Sequence, residues 1–171
     1  DKPSLFTMVY QGAVNVGRGL IETIDAMPLL EDVRLVVVGD GDSMHQVKER
    51  VRQLGLADRV EFVGKVPFAQ LSQYTTRAHV GLCLLENLGL NYYYSLPNRI
   101  FDFAQAGVPV LASNFPEIRG VVHTYNTGVL VDDLQPQTIA NAIRQLMSDK
   151  EAYDTMCRNA LTVAEELVWE N

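Results

Sequence analysis

Runs of apolar and β-branched residues alternate along this chain with longer segments whose apolar residues recur at helical spacing. The runs predict six strands, namely Leu5–Tyr10, Arg34–Val38, Arg59–Val63, Val80–Leu85, Val108–Ala112 and Gly128–Val131. Because these strands are apolar on both faces, we expect helices to cover both sides of a parallel sheet. The right-handed crossover rule then favours an α/β fold with a doubly wound, Rossmann-like parallel sheet.

The segments between these strands predict helices, namely Leu20–Leu30, Ser43–Leu54, Pro67–Arg77, Leu96–Ala106, Pro136–Met147 and Glu151–Leu167. Ser43 is expected to cap the second helix and Gly55 to end it. Pro67 is expected in the first turn of the third helix, where its missing amide is tolerated. A loop or short helix is expected between the fifth strand and Val122.

The segment Glu86–Ser95 shows no period and predicts a loop. In a doubly wound sheet, ligands bind beyond the carboxyl ends of the strands, at the point where the strand order reverses. We therefore expect three loops to meet at that edge: Gly12–Gly19, Gly64–Pro67 and Glu86–Ser95.

Length and composition indicate one ordinary globular domain, with 171 residues of which 47% are hydrophobic and 20% charged. The formal net charge of −7 argues against a nucleic-acid partner, because such proteins usually present a basic face. No apolar run approaches the roughly 18 residues that a membrane span needs. The chain begins Asp1-Lys2-Pro3-Ser4 and enters a strand almost at once, so we interpret residues 1–171 as one domain of a longer protein.

The two cysteines, Cys83 and Cys157, lie far apart and form no CxxC pair. Neither a zinc site nor a disulfide framework is therefore expected. Cys83 lies in an apolar run and is predicted to be a buried free thiol. This cysteine usage fits a reducing, cytoplasmic location.

The segment Gly12-Ala-Val-Asn-Val-Gly17-Arg18-Gly19 follows a predicted strand and opens a predicted helix. Glycines let backbone amides approach an anion, and the helix amino terminus and Arg18 add positive charge. Gly12, Arg18 and Gly19 are thus candidate phosphate-binding residues, although a tight turn with an exposed arginine explains the pattern equally well. The loop is not a P-loop, because Arg18 replaces the lysine and Gly19 removes the Mg²⁺-binding hydroxyl, and it lacks the GxGxxG dinucleotide fingerprint.

Asp40-Gly-Asp42 is the only metal-like triplet near a loop. We interpret it as a polar turn between a strand and a helix, because three-residue matches are common by chance, and we expect no metal site. The histidines His45, His79 and His123 share no metal-like spacing, and no Ser-His-Asp or Cys-His arrangement is evident.

The stretch from Ser95 to Val110 is the most informative segment. Ser95 is expected to cap a helix, Pro97 to lie in its first turn and Gly107 to end it. Its polar residues lie in or near the opening turns, namely Ser95, Asn98, Arg99 and Asp102. A carboxylate such as that of Asp102 can accept two hydrogen bonds from the vicinal diol of a ribose. An ordinary amphipathic helix with a capping serine is the simpler alternative.

Several segments in order resemble the C-terminal domain of retaining glycosyltransferases with the GT-B fold, of the group 1 type (family 4). The similar segments are Tyr10-Gln-Gly12, Arg18-Gly19-Leu20, Leu35-Val-Val-Val-Gly39-Asp-Gly41, Leu56–Pro67, Pro97–Val110, Gly128-Val-Leu-Val131 and Trp169-Glu-Asn171. Each segment is short, but their order and spacing extend over nearly the whole chain.

The resemblance implies that residues 1–171 form the nucleotide-sugar-binding domain of a two-domain enzyme whose N-terminal domain is absent from this sequence. Arg18 takes the place of the basic residue that contacts the diphosphate, and Asp102 that of a carboxylate that holds the ribose hydroxyls. The base is expected at backbone groups of Gly64, Lys65 and Val66. The diphosphate or the sugar is expected at Ser95, Asn98 and Arg99, together with Gly12 and Gly19.

The sequence departs from the family pattern at two positions. Tyr94 stands where the family usually has a glutamate that contacts the donor sugar, and Ala13 stands where an arginine commonly follows the first glycine. Arg99 is a candidate for the replacement charge. Pro97-Asn98-Arg99 resembles a Pro-Asn-Lys variant of transferases in surface-polysaccharide synthesis.

The leading hypothesis is transfer of a hexose from a nucleoside diphosphate sugar to a glycan or lipid-linked acceptor, with retention and without a metal or other cofactor. The expected partners are the nucleotide sugar, the N-terminal domain of the same protein and the acceptor, with peripheral association of the full enzyme at the inner face of the membrane. Two alternatives remain. One is a nucleotide-sugar epimerase of the same fold, and the other is a non-catalytic nucleotide-binding module, which the missing glutamate at position 94 leaves open.

Overall fold

The computed structural model describes residues 4–94 and 96–168. The strands are β1 (Phe6–Gln11), β2 (Val33–Val38), β3 (Val60–Gly64), β4 (Val80–Cys83), β5 (Val110–Ser113) and β6 (Gly128–Val131). The helices are α1 (Leu20–Ala26), α2 (Met44–Gln53), α3 (Phe68–Thr75), α4 (Leu90–Tyr93), α5 (Asn98–Gln105), α6 (Pro116–Tyr125), α7 (Pro136–Ser148) and α8 (Lys150–Val168). The sequence hypotheses on Ser95 and on residues 169–171 lie outside the described residues.

The strands form one sheet in the order β3-β2-β1-β4-β5-β6, and all pairs are parallel. The chain passes from β3 across β2 and β1 to reach β4, so the strand order reverses between β1 and β4. This is the topology of a doubly wound Rossmann-like domain, as the sequence predicted. A ligand is therefore expected at the carboxyl ends of β1 and β4.

Two helix layers cover the sheet because the strands are apolar on both faces. One core contains Ile24 of α1, Val47 of α2 and Ile143 of α7 against one face of the sheet. The other core contains Phe103 of α5 and Val163 of α8 against the opposite face, with α3 packed at its margin. Within the two described ranges, no helix is long and apolar enough to cross a membrane.

At three helix boundaries, a proline explains the difference from the sequence prediction. The helix predicted over Leu20–Leu30 ends at Ala26 and tightens into a 3-10 turn around Pro28, which has no amide hydrogen for an α-helical bond. Pro67 and Pro97 were expected in first turns. Both instead precede their helices with ψ of 145° and 140°, and their carbonyls accept the first hydrogen bonds.

Two further local predictions need correction. The segment predicted to be a loop over Glu86–Ser95 contains the single helical turn α4. Ser43 occupies the cap position of α2, but its side chain forms no capping hydrogen bond. Gly55 ends the same helix with φ of +69°, as predicted, because a residue without Cβ adopts this conformation at little cost.

Candidate functional site

A cavity of about 700 Å³ opens at the carboxyl ends of β1, β2 and β3. The loops after β1, β2 and β3 line it, together with the end of β2 and one residue of α3. The lining residues are Gly12, Ala13, Val38, Gly39, Asp40, Gly41, Asp42, Lys65, Val66 and Leu71. Three of the predicted site residues, Gly12, Lys65 and Val66, therefore share one cavity. Gly64 lies just behind it, where its carbonyl accepts the Gly39 amide hydrogen at 2.8 Å.

Close backbone packing builds this cavity. The Gly12 amide donates to the Val38 carbonyl at 3.0 Å, and a Cβ on Gly39 would lie 1.9 Å from the Gly12 carbonyl oxygen. A Cβ on Gly41 would lie 2.4 Å from the Val14 carbonyl oxygen. The Gly39-Asp-Gly41 triplet therefore holds the first loop in place through its glycines, a role that the sequence analysis missed.

The acidic residues of this triplet form a turn. The Asp40 carboxylate accepts the Gly41 amide hydrogen at 2.8 Å, and the Asp42 amide donates to the Asn15 side chain at 3.3 Å. Among residues 4–94 and 96–168, no group of three His, Cys, Asp or Glu side chains is arranged to hold a metal ion.

Arg99 lies beside the first loop, over the ring of Tyr10. The guanidinium carbon of Arg99 lies 5.5 Å from the centroid of the Tyr10 ring, and its Nη1 donates to the Gln11 carbonyl at 3.4 Å. Burial raises the pKa of Tyr10, and the positive charges of Arg99 and Arg18 oppose that rise. The structure therefore places Arg99 where β1 ends, while Arg18 belongs to the first loop itself.

Tyr10 also fixes the loop itself. Its ring is buried, with 1% of the residue exposed, and its hydroxyl donates to the Ala13 carbonyl. The Arg99 side chain passes beside Gly12, since a Cβ on Gly12 would lie 3.8 Å from Arg99 Cδ. One buried ring therefore contacts both the loop and a basic group, which sequence spacing could not reveal.

Asp102 faces a second cavity of about 290 Å³ between α3 and α5. This cavity shares Leu71 with the first, so the two adjoin. Burial raises the pKa of the Asp102 carboxyl. Asn98, the first residue of α5, is exposed, whereas Ile100 and Phe103 are buried, so α5 has the amphipathic character that the sequence predicted.

The segment after β4 meets the first loop at Gly17. The Glu86 amide donates to the Gly17 carbonyl at 2.9 Å, and Gly17 has φ of +85°. A Cβ there would lie 2.6 Å from the Leu88 side chain. The three loops predicted to meet at the carboxyl edge do meet, with the backbone of Glu86 bonded to the first loop.

Below this edge, Cys83 is fully buried as a free thiol, as predicted. Burial raises the pKa of Cys83 to about 12. The thiol is therefore neutral at physiological pH and has no nucleophilic role here.

Residues 3–163 match the family model described as glycosyl transferases group 1. The chain belongs to this family. LpsD of Rhizobium meliloti, a lipopolysaccharide core biosynthesis glycosyltransferase, is 29% identical over 145 residues, which are 84% of this chain and 40% of LpsD. The GDP-mannose-dependent alpha-(1-6)-phosphatidylinositol monomannoside mannosyltransferase of Mycobacterium tuberculosis is 26% identical over 140 residues, covering 78% of this chain and 36% of the relative.

Solved structures confirm the fold of this group 1 glycosyltransferase domain. HepE of Anabaena, solved with UDP and glucose, superposes with a TM-score of 0.80 at 21% identity, over 95% of this chain and 44% of HepE. Sucrose-phosphate synthase of Thermosynechococcus elongatus gives a TM-score of 0.84 at 24% identity, over 98% and 42% of the two chains. The chain spans about two fifths of the length of the curated relatives named above.

Proposed function

We propose that this domain binds a nucleoside diphosphate sugar at the carboxyl edge of its sheet, as the donor-binding half of a retaining hexosyltransferase. The observation that carries the proposal is the position of Arg99 over the buried ring of Tyr10 and beside Gly12, the first residue of the loop that also contains Arg18. A diphosphate has two adjacent anionic groups, and two guanidinium groups can each offer it paired donors. This arrangement favours a diphosphate over an isolated carboxylate or a neutral ligand.

The neighbouring residues suit the remainder of a nucleotide. Asp102 offers a half-buried carboxylate to the ribose hydroxyls, and Lys65 and Val66 follow β3 on the other side of Gly12. Similar proteins support this ligand class, since one is a GDP-mannose-dependent mannosyltransferase and another was solved with UDP-glucose.

The proposed chemistry is transfer to a glycan or lipid-linked acceptor in surface polysaccharide synthesis, with retained anomeric configuration. As the bond to the sugar breaks, negative charge grows on the departing nucleoside diphosphate. Arg18 and Arg99 would offset that charge from fixed positions, so that no metal ion is required.

The acceptor is proposed to bind a second domain of the same full-length protein, N-terminal to this one. Transfer requires the acceptor and donor within near-attack distance and shielded from water, and closure of a cleft between two domains achieves both. We also propose that the full enzyme works in the cytoplasm and associates peripherally with the inner face of the membrane when its acceptor is a lipid.

A panel of UDP, GDP, ADP and their sugars in a thermal-unfolding assay tests this function. A ligand at 100 times its Kd should add about 2.7 kcal/mol to the free energy of unfolding. A variant with Arg18→Ala and Arg99→Ala should lose this stabilisation, while sodium sulfate at matched ionic strength should not reproduce it. If no diphosphate at millimolar concentration raises the melting temperature, the proposal is wrong.

A further inference from the structure

Phe68 is the most exposed large apolar residue among those described, with 83% of its surface open to solvent. It is the first residue of α3 and follows the loop that contains Lys65 and Val66. Leu71 and Thr75 lie three and seven positions further along, so all three share one face of the helix. This face points into the cavity of about 290 Å³ that Asp102 also lines.

The opposite wall of that cavity is polar. Asp102 and Gln105 extend from α5, and Gln11 lies at the base, where its side-chain oxygen accepts a hydrogen bond from the Thr75 hydroxyl at 2.7 Å. In the part of the chain that the structure describes, no donor forms a hydrogen bond with the Asp102 carboxylate. Partial burial of a carboxylate costs free energy when no hydrogen-bond donor compensates it. This cavity therefore suits a ligand that donates hydrogen bonds to Asp102.

The cavity connects directly to the candidate diphosphate position. Gln11 lines the cavity with its side chain, and its carbonyl accepts the hydrogen bond from Arg99. A ligand that contacts Asp102 in this cavity is therefore separated by Gln11 from the guanidinium group of Arg99. An exposed aromatic ring and a carboxylate line the cavity, and a positive charge lies beyond Gln11.

We propose that the Phe68 ring is the stacking surface for the base of the bound nucleotide, with the ribose hydroxyls on Asp102. This inference rests on the proposed function and adds to it the residue that contacts the face of the base. The ring and the carboxylate in the cavity, with the cation beyond Gln11, are the groups that suit the base, the ribose and the diphosphate of such a ligand. Every base has a π-face, so stacking on Phe68 supplies affinity without choosing the base, and polar groups of the Lys65–Val66 loop are left to select it.

Phe68 is expected to act in binding and not in maintaining the fold. An exposed ring contributes little to stability, so Phe68→Ala should leave the melting temperature of the free chain unchanged. Calorimetric titration with UDP and GDP should show about tenfold weaker binding of each nucleotide, within the range typical of base stacking. Phe68→Tyr should keep the wild-type affinity, because it keeps the ring.

Leu5→Ala is the matched control, since Leu5 is an exposed apolar residue that lines a separate cavity with Arg77, and the affinity of this variant for UDP should stay at the wild-type value. A nuclear Overhauser effect between the Phe68 ring protons and uracil H6 provides direct geometric support. Wild-type affinity of Phe68→Ala for both nucleotides overturns the stacking proposal and assigns the ring to another contact, such as a protein surface. Failure of the wild-type chain itself to bind UDP or GDP would instead overturn the proposed function.

Discussion

The Arg99 guanidinium lies over the Tyr10 ring, with 5.5 Å between its carbon and the ring centroid. Tyr10 belongs to β1 and Arg99 to the first turn of α5, so the contact joins two elements that meet only where the strand order reverses. The ring and the Gln11 carbonyl hold the Arg99 guanidinium beside Gly12. Contacts of this kind reduce the entropy that a long side chain loses when it binds a ligand.

Arg99→Ala should weaken binding of UDP or GDP by about 1.5–3 kcal/mol, because it removes charged hydrogen-bond donors from the diphosphate. Isothermal calorimetry measures the change. Arg77→Ala is the control, since Arg77 lines a separate cavity with Ser4 and Leu5 at the opposite edge of the sheet. Equal losses in the two variants would mean that only the overall charge matters.

Asp102→Asn should weaken nucleotide binding by about 1.5–3 kcal/mol at pH 7, because a neutral amide replaces a charged acceptor. Burial raises the pKa of Asp102, so the wild-type carboxylate takes up a proton at a higher pH than an ordinary aspartate. Wild-type affinity should therefore fall as the pH is lowered from 7 through that raised pKa. The affinity of Asp102→Asn should lack this step, and identical pH profiles would contradict a role for the carboxylate.

Asp102→Asn should weaken nucleotide binding, but it should make the free chain more stable than the wild type near neutral pH. Below the pKa of about 3.9 of an unfolded aspartate, Asp102 is protonated in both states and its burial carries no charge penalty. As the pH rises through the raised folded-state pKa, the wild type loses stability relative to Asp102→Asn. Urea unfolding at several pH values should therefore show an advantage for the variant that grows toward neutral pH. An advantage that grows toward acid would contradict this sign.

Gly39→Ala should destabilise the chain by roughly 2–4 kcal/mol, because its φ of +142° strains an alanine and its Cβ meets the Gly12 carbonyl. Displacement of the first loop should also weaken nucleotide binding. Gly120→Ala in α6, where a Cβ would meet nothing within 4 Å, should stabilise the chain by roughly 0.5–1 kcal/mol. Chemical denaturation compares the two, and an unperturbed Gly39→Ala would show that the loops are not held by this contact.

Nucleotide binding should not depend on Mg²⁺ or Mn²⁺. The Asp40 carboxylate is engaged in its own turn, and the two arginines supply the positive charge that a metal ion would otherwise provide. Titration of UDP or GDP with and without EDTA should give the same Kd. Strict metal dependence that Asp40→Ala abolishes would identify Asp40-Gly-Asp42 as a metal site.

Residues 1–171 should bind the donor and show negligible transferase activity, because they supply one wall of the proposed cleft. A radiolabelled-sugar transfer assay measures this activity. Adding the proposed N-terminal domain should restore transfer. Rates from residues 1–171 alone that match those of the longer protein would show that the active site lies wholly within this domain.

The alternation of apolar runs and helical periodicity determined the order of the elements and the parallel sheet, because both patterns are local. Glycine and proline located most of the turns for the same reason. Two helices begin one or two residues later than predicted, after Pro67 and Pro97. The fixed φ of proline suits the residue before a helix as well as the first turn. Arg18, Asp102 and the three loops followed from short segments and the family resemblance.

Only the tertiary structure decided which side chains share the site. The contact of Arg99 with Tyr10, the approach of Gly39 to Gly12 and the placement of Phe68 opposite Asp102 all join residues on different elements. The approach of Gly39 to Gly12 arises from the pairing of β1 with β2, and the other two contacts arise from the crossover that carries the chain from β3 past β1 to β4. Hydrophobic periodicity predicts which face of a helix or strand is buried, but it does not predict which other element covers that face.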